Sequence, residues 1–146
     1  MDDKKYYYKI KSKYIASKQH TRVPVNSSEL VVLQKAKNLA KYIFQITEKS
    51  PKKFRFTFVS RLQNLALDCV ENIFRANNLD KTNVDTRYGY QKNAQTCLAI
   101  LEYIALTSKE FGCITEKNYE QIAKMGAECQ ILLSAWTDST KKASNK

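Results

Sequence analysis

Histidine is almost missing from this chain. His20 is the only one in 146 residues, and no arginine precedes it. Helical ribonucleases that place histidine four to six residues after an arginine therefore find no counterpart, and histidine-based acid–base catalysis has one candidate at most. Glycine and proline are also scarce, three and two residues respectively. That scarcity argues against a fold built on many tight turns and for long helices. No GxxxxGK[ST] or GxGxxG loop occurs, so a phosphate-cradling nucleotide site has no motif behind it. No eighteen-residue apolar run and no signal-peptide pattern is present, and the expected location is cytoplasmic with no membrane partner. The four cysteines, Cys69, Cys97, Cys113 and Cys129, form no CxxC pair, and His20 is far from all of them. Cys69, Cys97 and Cys129 fall on apolar helical faces, where a thiol acts as a small buried hydrophobe. No metal and no cofactor is expected.

Positive charge is what the chain has in excess. It carries 25 Lys and Arg against 14 Asp and Glu, a net charge of +11. Residues 1–26 and 27–77 each contribute five of those positive charges, and residues 78–136 are close to neutral. A lopsided distribution of this kind points to a polyanionic partner, nucleic acid or an anionic surface, with a solvated face as the plain alternative. The densest block is KSPKKFRFTFVSR over Lys49–Arg61, where Lys52, Lys53 and Arg55 interleave with Phe54, Phe56 and Phe58. These rings could stack bases or pack over a helix corner. Arg61 falls in the first turn of the expected helix, where a positive charge opposes the dipole, and this suggests an anionic partner for it.

Residues 1–26 form a separate Lys/Tyr-rich arm with no helical period. Tyr6, Tyr7, Tyr8 and Tyr14 alternate with lysines, a composition suited to holding single-stranded nucleic acid by stacking and phosphate contact. It equally suits a soluble, flexible arm, and the Tyr and Ile content admits a short strand over residues 6–15. Simple electrostatic adhesion to a membrane is a further reading, but the arm's weak amphipathicity argues against insertion.

Residues 27–138 carry four helical patterns. Asn26, Ser27 and Ser28 are candidate caps for the first, whose stripe is Leu30, Leu33, Ala36 or Lys37, Ala40 and Ile43, reaching about Thr47. Pro51 breaks the chain. Thr57 or Ser60 is expected to cap the second helix, with Gln63 completing a capping box from Ser60. That helix buries Leu62, Leu65, Ala66, Cys69, Val70 and Ile73 and ends near Asn77. After a polar loop, a third runs from about Asp85 to Phe111 with Tyr90, Ala94, Cys97, Leu98, Leu101, Ile104 and Ala105 inward. Gly112 suits its C-terminal stop. Thr115 is expected to cap a fourth, with Ile114 and Tyr119 as a hydrophobic staple and Ile122, Ala123, Cys129, Leu132, Leu133 and Trp136 buried. From Thr137 the sequence turns polar, and residues 139–146 read as a frayed basic tail. Short connections between long helices predict an all-α, antiparallel up-down four-helix bundle. Carboxylate catalysis would need Glu71 held close to Glu102 or Glu128; Asp68 and Glu71 are more simply partners of nearby cations.

Taken over residues 28–142, the chain resembles the accessory variability determinant proteins of diversity-generating retroelements, a set related to four-helix proteins encoded within 23S rRNA intervening sequences. The resemblance is carried by LVVLQKAKNLAKYIFQITEKSPKKFRFTFVSRLQNLALDCVENIFRAN, by GCITEKNYEQIAKMGAECQILLSAW, and by the basic tail. Its most specific parts are the Ser50-Pro51-Lys52-Lys53 corner with Arg55 and Arg61, and Leu133-Ser134-Ala135-Trp136. The first 26 residues are longer than is usual in that family. The resemblance implies a homopentamer with a positive surface that binds the element's reverse transcriptase and RNA or DNA and has no catalytic residues of its own. On this sequence the implied surface is Lys52, Lys53, Arg55 and Arg61, with Arg75, Lys141 and Lys142 as further members. The alternative is an intervening-sequence protein with another RNA-linked role.

Overall fold

The computed structural model describes residues 27–144, with side chains from Val31 onward. The Lys/Tyr arm and its strand over 6–15, Asn26, the side chains of Ser27, Ser28 and Leu30, and the last two residues of the tail lie outside what is described. Four long helices account for most of the rest: α1 Ser27–Thr47, α2 Ser60–Asn77, α3 Val84–Glu110 and α4 Glu116–Ser144. Each packs on its sequence neighbours, and α4 closes the ring against α1. This is the up-down four-helix bundle expected from the stripes and short loops.

The core follows the helical stripes. Ala36, Leu39 and Ile43 of α1 meet Leu62, Leu65, Cys69 and Ile73 of α2, Leu98 and Leu101 of α3, and Ile122, Leu133 and Trp136 of α4 in one buried cluster. At Ala36 or Lys37 the structure selects Ala36, with Lys37 half-buried. Val70, Tyr90, Cys97, Ile104, Ala123 and Leu132 are half-buried, at the edge of their helical faces. The aliphatic residues here each remove enough apolar surface from water to stabilise the fold by about 1.5–3 kcal/mol.

Two of the caps form as expected. Gly112 adopts φ 82°, Gly112 N–H donates to Lys109 O (3.0 Å), and Cys113 N–H donates to Ser108 O (2.8 Å). That is the Schellman pattern, closed by the buried Cys113. Thr115 Oγ1 accepts from Asn118 N–H at 3.0 Å, the N-cap of α4. Ile114 is buried and Tyr119 packs against the same core.

The start of α2 departs from expectation. Ser60 caps nothing. A 3-10 turn, Lys52–Phe54, and a π turn, Arg55–Val59, lead without a break into α2, and Ser60 N–H is already bonded to Arg55 O and Thr57 O. With that donor satisfied no capping box is needed, and Gln63 Nε2 instead donates to Thr47 Oγ1 on α1 (3.0 Å). The tail differs as well. α4 continues through Ser144, because Thr137 and Thr140 are buried and their hydroxyls bond back to Leu133 O and Trp136 O. Gln91 Nε2 reaches across from α3 to Thr140 Oγ1 (2.9 Å). Polar residues here continue the interface, so polar composition alone misplaced the helix end.

A basic and aromatic corner as candidate nucleic-acid interface

The up-down order gives the bundle two ends. One carries the α1–α2 corner and the α3–α4 loop, linked by Ser50 Oγ donating to Cys113 O (2.8 Å). The other carries the α2–α3 loop and the C-terminus of α4, linked by the Gln91–Thr140 bond. The residues singled out for the basic surface divide between them. Lys52, Lys53 and Arg55 sit at the first end, with Arg61 just along α2. Arg75, Lys141 and Lys142 belong to the second. The 18 residues of α2 put about 27 Å between the two groups. Within one chain they are therefore two separate surfaces.

The corner is built by backbone geometry. α1 unwinds through turns at Lys49 and Ser50, whose N–H groups donate to Ile46 O and Thr47 O. Pro51 is extended (φ −56°, ψ 139°), as a residue that cannot continue the helix must be here, and its carbonyl accepts from Phe54 N–H at 3.0 Å. Lys52, Lys53 and Arg55 are then all exposed. None forms an ion pair with a described residue, and Lys53 Nζ lies over the Phe54 ring, 5.0 Å from its centroid. No acidic residue occupies the first turn of this helical run. Three cations thus face the positive end of a dipole with no carboxylate of that turn to offset them.

The three phenylalanines separate. Phe54 and Phe58 are half-buried, with ring centroids 5.7 Å apart, and Phe58 continues to Phe111 at 5.5 Å. Phe56 turns the other way and is 88% exposed. Helical winding puts residues i and i+4 on one face and i+2 on the other, so Phe56 faces away from the Phe54–Phe58 pair; the winding here is a π turn. Phe111, 65% exposed, extends the aromatic surface onto the α3–α4 loop.

Arg61 has a different setting from the one expected. The turns over Lys52–Val59 place it well inside a continuous helix, beyond the first turn where the dipole acts. It lies near Cys97 of α3, whose thiol burial pushes up; Asp68 adds to that shift and Arg61 opposes it. Arg61 forms no ion pair with a described residue, but the dipole argument for an external anion falls away.

The far-end cations have local explanations. Arg75 Nη2 pairs with Glu71 Oε1 at 3.3 Å and lies over the Tyr90 ring at 5.9 Å. The bond to Glu71 is the main cause of its raised pKa. It borders an open groove of about 560 Å3 with Leu67, Val70, Phe74 and Tyr90. Lys141 and Lys142 occupy the last turn of α4, where a cation complements the helix dipole. Sequence reasoning missed Arg87. Its guanidinium donates to Ala76 O, Leu79 O and Asp80 O at 3.1–3.2 Å and ties down the end of α2. An arginine at the start of α3 gives no signal of this role until the loop is folded over it.

Two of the carboxylates considered for acid–base chemistry have cationic partners within the fold. Glu71 pairs with Arg75, and Glu128 pairs with Lys35 of α1 at 3.2 Å. Among the described residues no group of histidine, cysteine and carboxylate side chains is placed to hold a metal. Cys69 and Cys129 are buried free thiols. Burial pushes Cys129 up to about 12 and Cys69 well above the ordinary thiol range. Trp136 is 4% exposed and belongs to the core, which rules it out as a base-stacking surface. No described helix is long and apolar enough to cross a membrane. Neither a family model nor a curated protein matches this chain.

Proposed function

We propose that this protein is a non-catalytic accessory factor of a diversity-generating retroelement. In this reading it is cytoplasmic, assembles as a homopentamer, and binds the element's reverse transcriptase together with its template RNA or cDNA. The polymerase does the chemistry. The resemblance over residues 28–142 and the four-helix architecture support the reading, but one observation carries its nucleic-acid part. Lys52, Lys53 and Arg55 are presented together on an exposed corner without carboxylate partners among the described residues, on a chain of net charge +11. An anion at this corner is favoured by the cations and by the helix dipole beneath them. Repetition of the corner in an oligomer multiplies a modest affinity through avidity.

The test is a tagged pull-down from the native host at moderate salt, reading proteins and RNA together, with native mass spectrometry for the subunit number. Capture of a reverse transcriptase with a discrete template RNA, and a pentamer, is the expected result. Ribosomal RNA fragments alone would assign the chain to the intervening-sequence relatives instead. Recovery of neither would reduce the corner to a solvated surface.

A further inference from the structure

The chemistry of the corner distinguishes what kind of nucleic acid it takes. Phe56 is the most exposed large hydrophobic side chain described, at 88%. Exposure of a whole phenyl ring forgoes the burial that its neighbours Phe54 and Phe58 obtain two residues on either side. Its position is not a random surface site. Arg55 is adjacent, Lys52 and Lys53 are one turn back, and all three are exposed. The ring stands on a packed base: Phe58 lies between Phe54 and Phe111, and Ser60 N–H bonds to Arg55 O across the π turn.

We infer, resting on the reading above, that this corner binds unpaired nucleotides, with a base stacked on Phe56 and the flanking phosphates held by Lys52, Lys53 and Arg55. A base inside a duplex shows only its edge, so a ring on a convex corner has nothing to stack on. An unpaired base offers its full face, and stacking on an aromatic side chain tolerates any base. Cations interleaved with an exposed ring therefore select single strands, where cations alone bind both forms. Phe111, 65% exposed at the end of the Phe54–Phe58–Phe111 row, offers a second platform on the same end of the bundle.

The test compares Phe56→Ala, Phe56→Leu, Phe56→Tyr and the triple variant Lys52→Gln/Lys53→Gln/Arg55→Gln in the full-length chain. Each is titrated against a short polyuridine strand and an RNA duplex long enough that its internal pairs far outnumber its two ends, by fluorescence anisotropy. Phe56→Ala and Phe56→Leu are expected to lose roughly 5- to 150-fold in affinity for the strand, the range of one lost base–aromatic stack. They leave duplex affinity and the salt slope unchanged, because no phosphate contact is removed. Phe56→Tyr retains strand binding. Far-UV circular dichroism should match the parent, since the ring is already in solvent. Unchanged strand affinity in Phe56→Ala, with the triple variant weakened, overturns the stacking role and leaves the electrostatic site standing. Equal loss on strand and duplex also overturns it. Unaltered binding in the triple variant overturns the nucleic-acid reading itself. Unchanged RNA affinity combined with lost capture of a reverse transcriptase would make Phe56 an anchor for that protein instead.

Discussion

The division of the cations between two ends leads to a prediction with a worked magnitude. Lys52, Lys53 and Arg55 on one side and Arg75, Lys141 and Lys142 on the other are about 27 Å apart along α2. The Debye length at physiological ionic strength is about 8 Å, so in a single chain the two groups do not sense each other. Each group is neutralised in turn, as Lys52→Gln/Lys53→Gln/Arg55→Gln and as Arg75→Gln/Lys141→Gln/Lys142→Gln. Three phosphate contacts on a single strand contribute a slope of about −2 to log affinity against log salt. Raising monovalent salt from about 50 to about 200 mM therefore lowers affinity by about 20-fold through those contacts alone. The corner variant should show a slope shallower by about two. The far-end variant should keep the parental slope, since Arg75 is already committed to Glu71 and the two lysines complement the α4 dipole. Anisotropy titrations of a single-stranded RNA across that salt range measure both. If the far-end variant loses as much slope as the corner variant, the reasoning that separates the two surfaces is wrong.

Three further predictions concern the scaffold. Gln91 is fully buried, and its Oε1 has no hydrogen-bond partner among the described residues. Gln91→Met removes that orphan acceptor, which costs about 1–3 kcal/mol, and forgoes one hydrogen bond of about 1 kcal/mol, while Thr140 keeps its bond to Trp136 O. Denaturant unfolding should show a gain of about 1 kcal/mol, and a loss of that size would mean the Gln91–Thr140 link matters more than its orphan acceptor. Cys69 and Cys129 titrate near pH 9 when unfolded but only far higher when folded. Their contribution is complete below the unfolded pKa and declines as pH rises toward about 12, by about 1.4 kcal/mol per pH unit for each thiol. Replacing both by alanine should flatten the alkaline decline of stability above about pH 9, seen in urea midpoints at pH 8 and pH 10. Gly112→Ala should cost about 1 kcal/mol, because φ 82° strains a side-chain-bearing residue even though a Cβ there meets open space; an unchanged thermal midpoint would exclude strain at that stop.

Much of the fold was legible in residue spacing. Leu62, Leu65, Cys69 and Ile73 recur at helical intervals, and each is buried as that period demands. Gly112 and Thr115 are caps whose chemistry is local, so four or five residues suffice to read them. The start of α2 was not legible. Ser60 with Gln63 matches a capping box in sequence, but whether a donor is left unsatisfied depends on the turn before it. The end of α4 was misplaced for a related reason, since Thr137 and Thr140 look like surface residues until Gln91 of another helix is placed opposite.

The candidate site divides in the same way. That Lys52, Lys53 and Arg55 cluster was visible in the string, and Pro51 alone ensured that a helix could not bury them in its middle. Which phenylalanine faces solvent followed only once the stretch was known to be helical: strand alternation puts Phe54, Phe56 and Phe58 on one face, whereas a helical winding pairs Phe54 with Phe58 and turns Phe56 away. Composition and period by themselves determined the four helices, the core stripes and the positive corner, since these depend on interactions within a few residues. Only the tertiary structure decided that Arg75, Lys141 and Lys142 belong to the opposite end, that Arg61 lies inside a continuous helix, and that Phe56 stands free. The first outcome depends on antiparallel pairing of helices far apart in the chain, and the other two on the helical winding of Lys52–Val59, whose inward ring Phe58 packs against Phe111 at the end of α3.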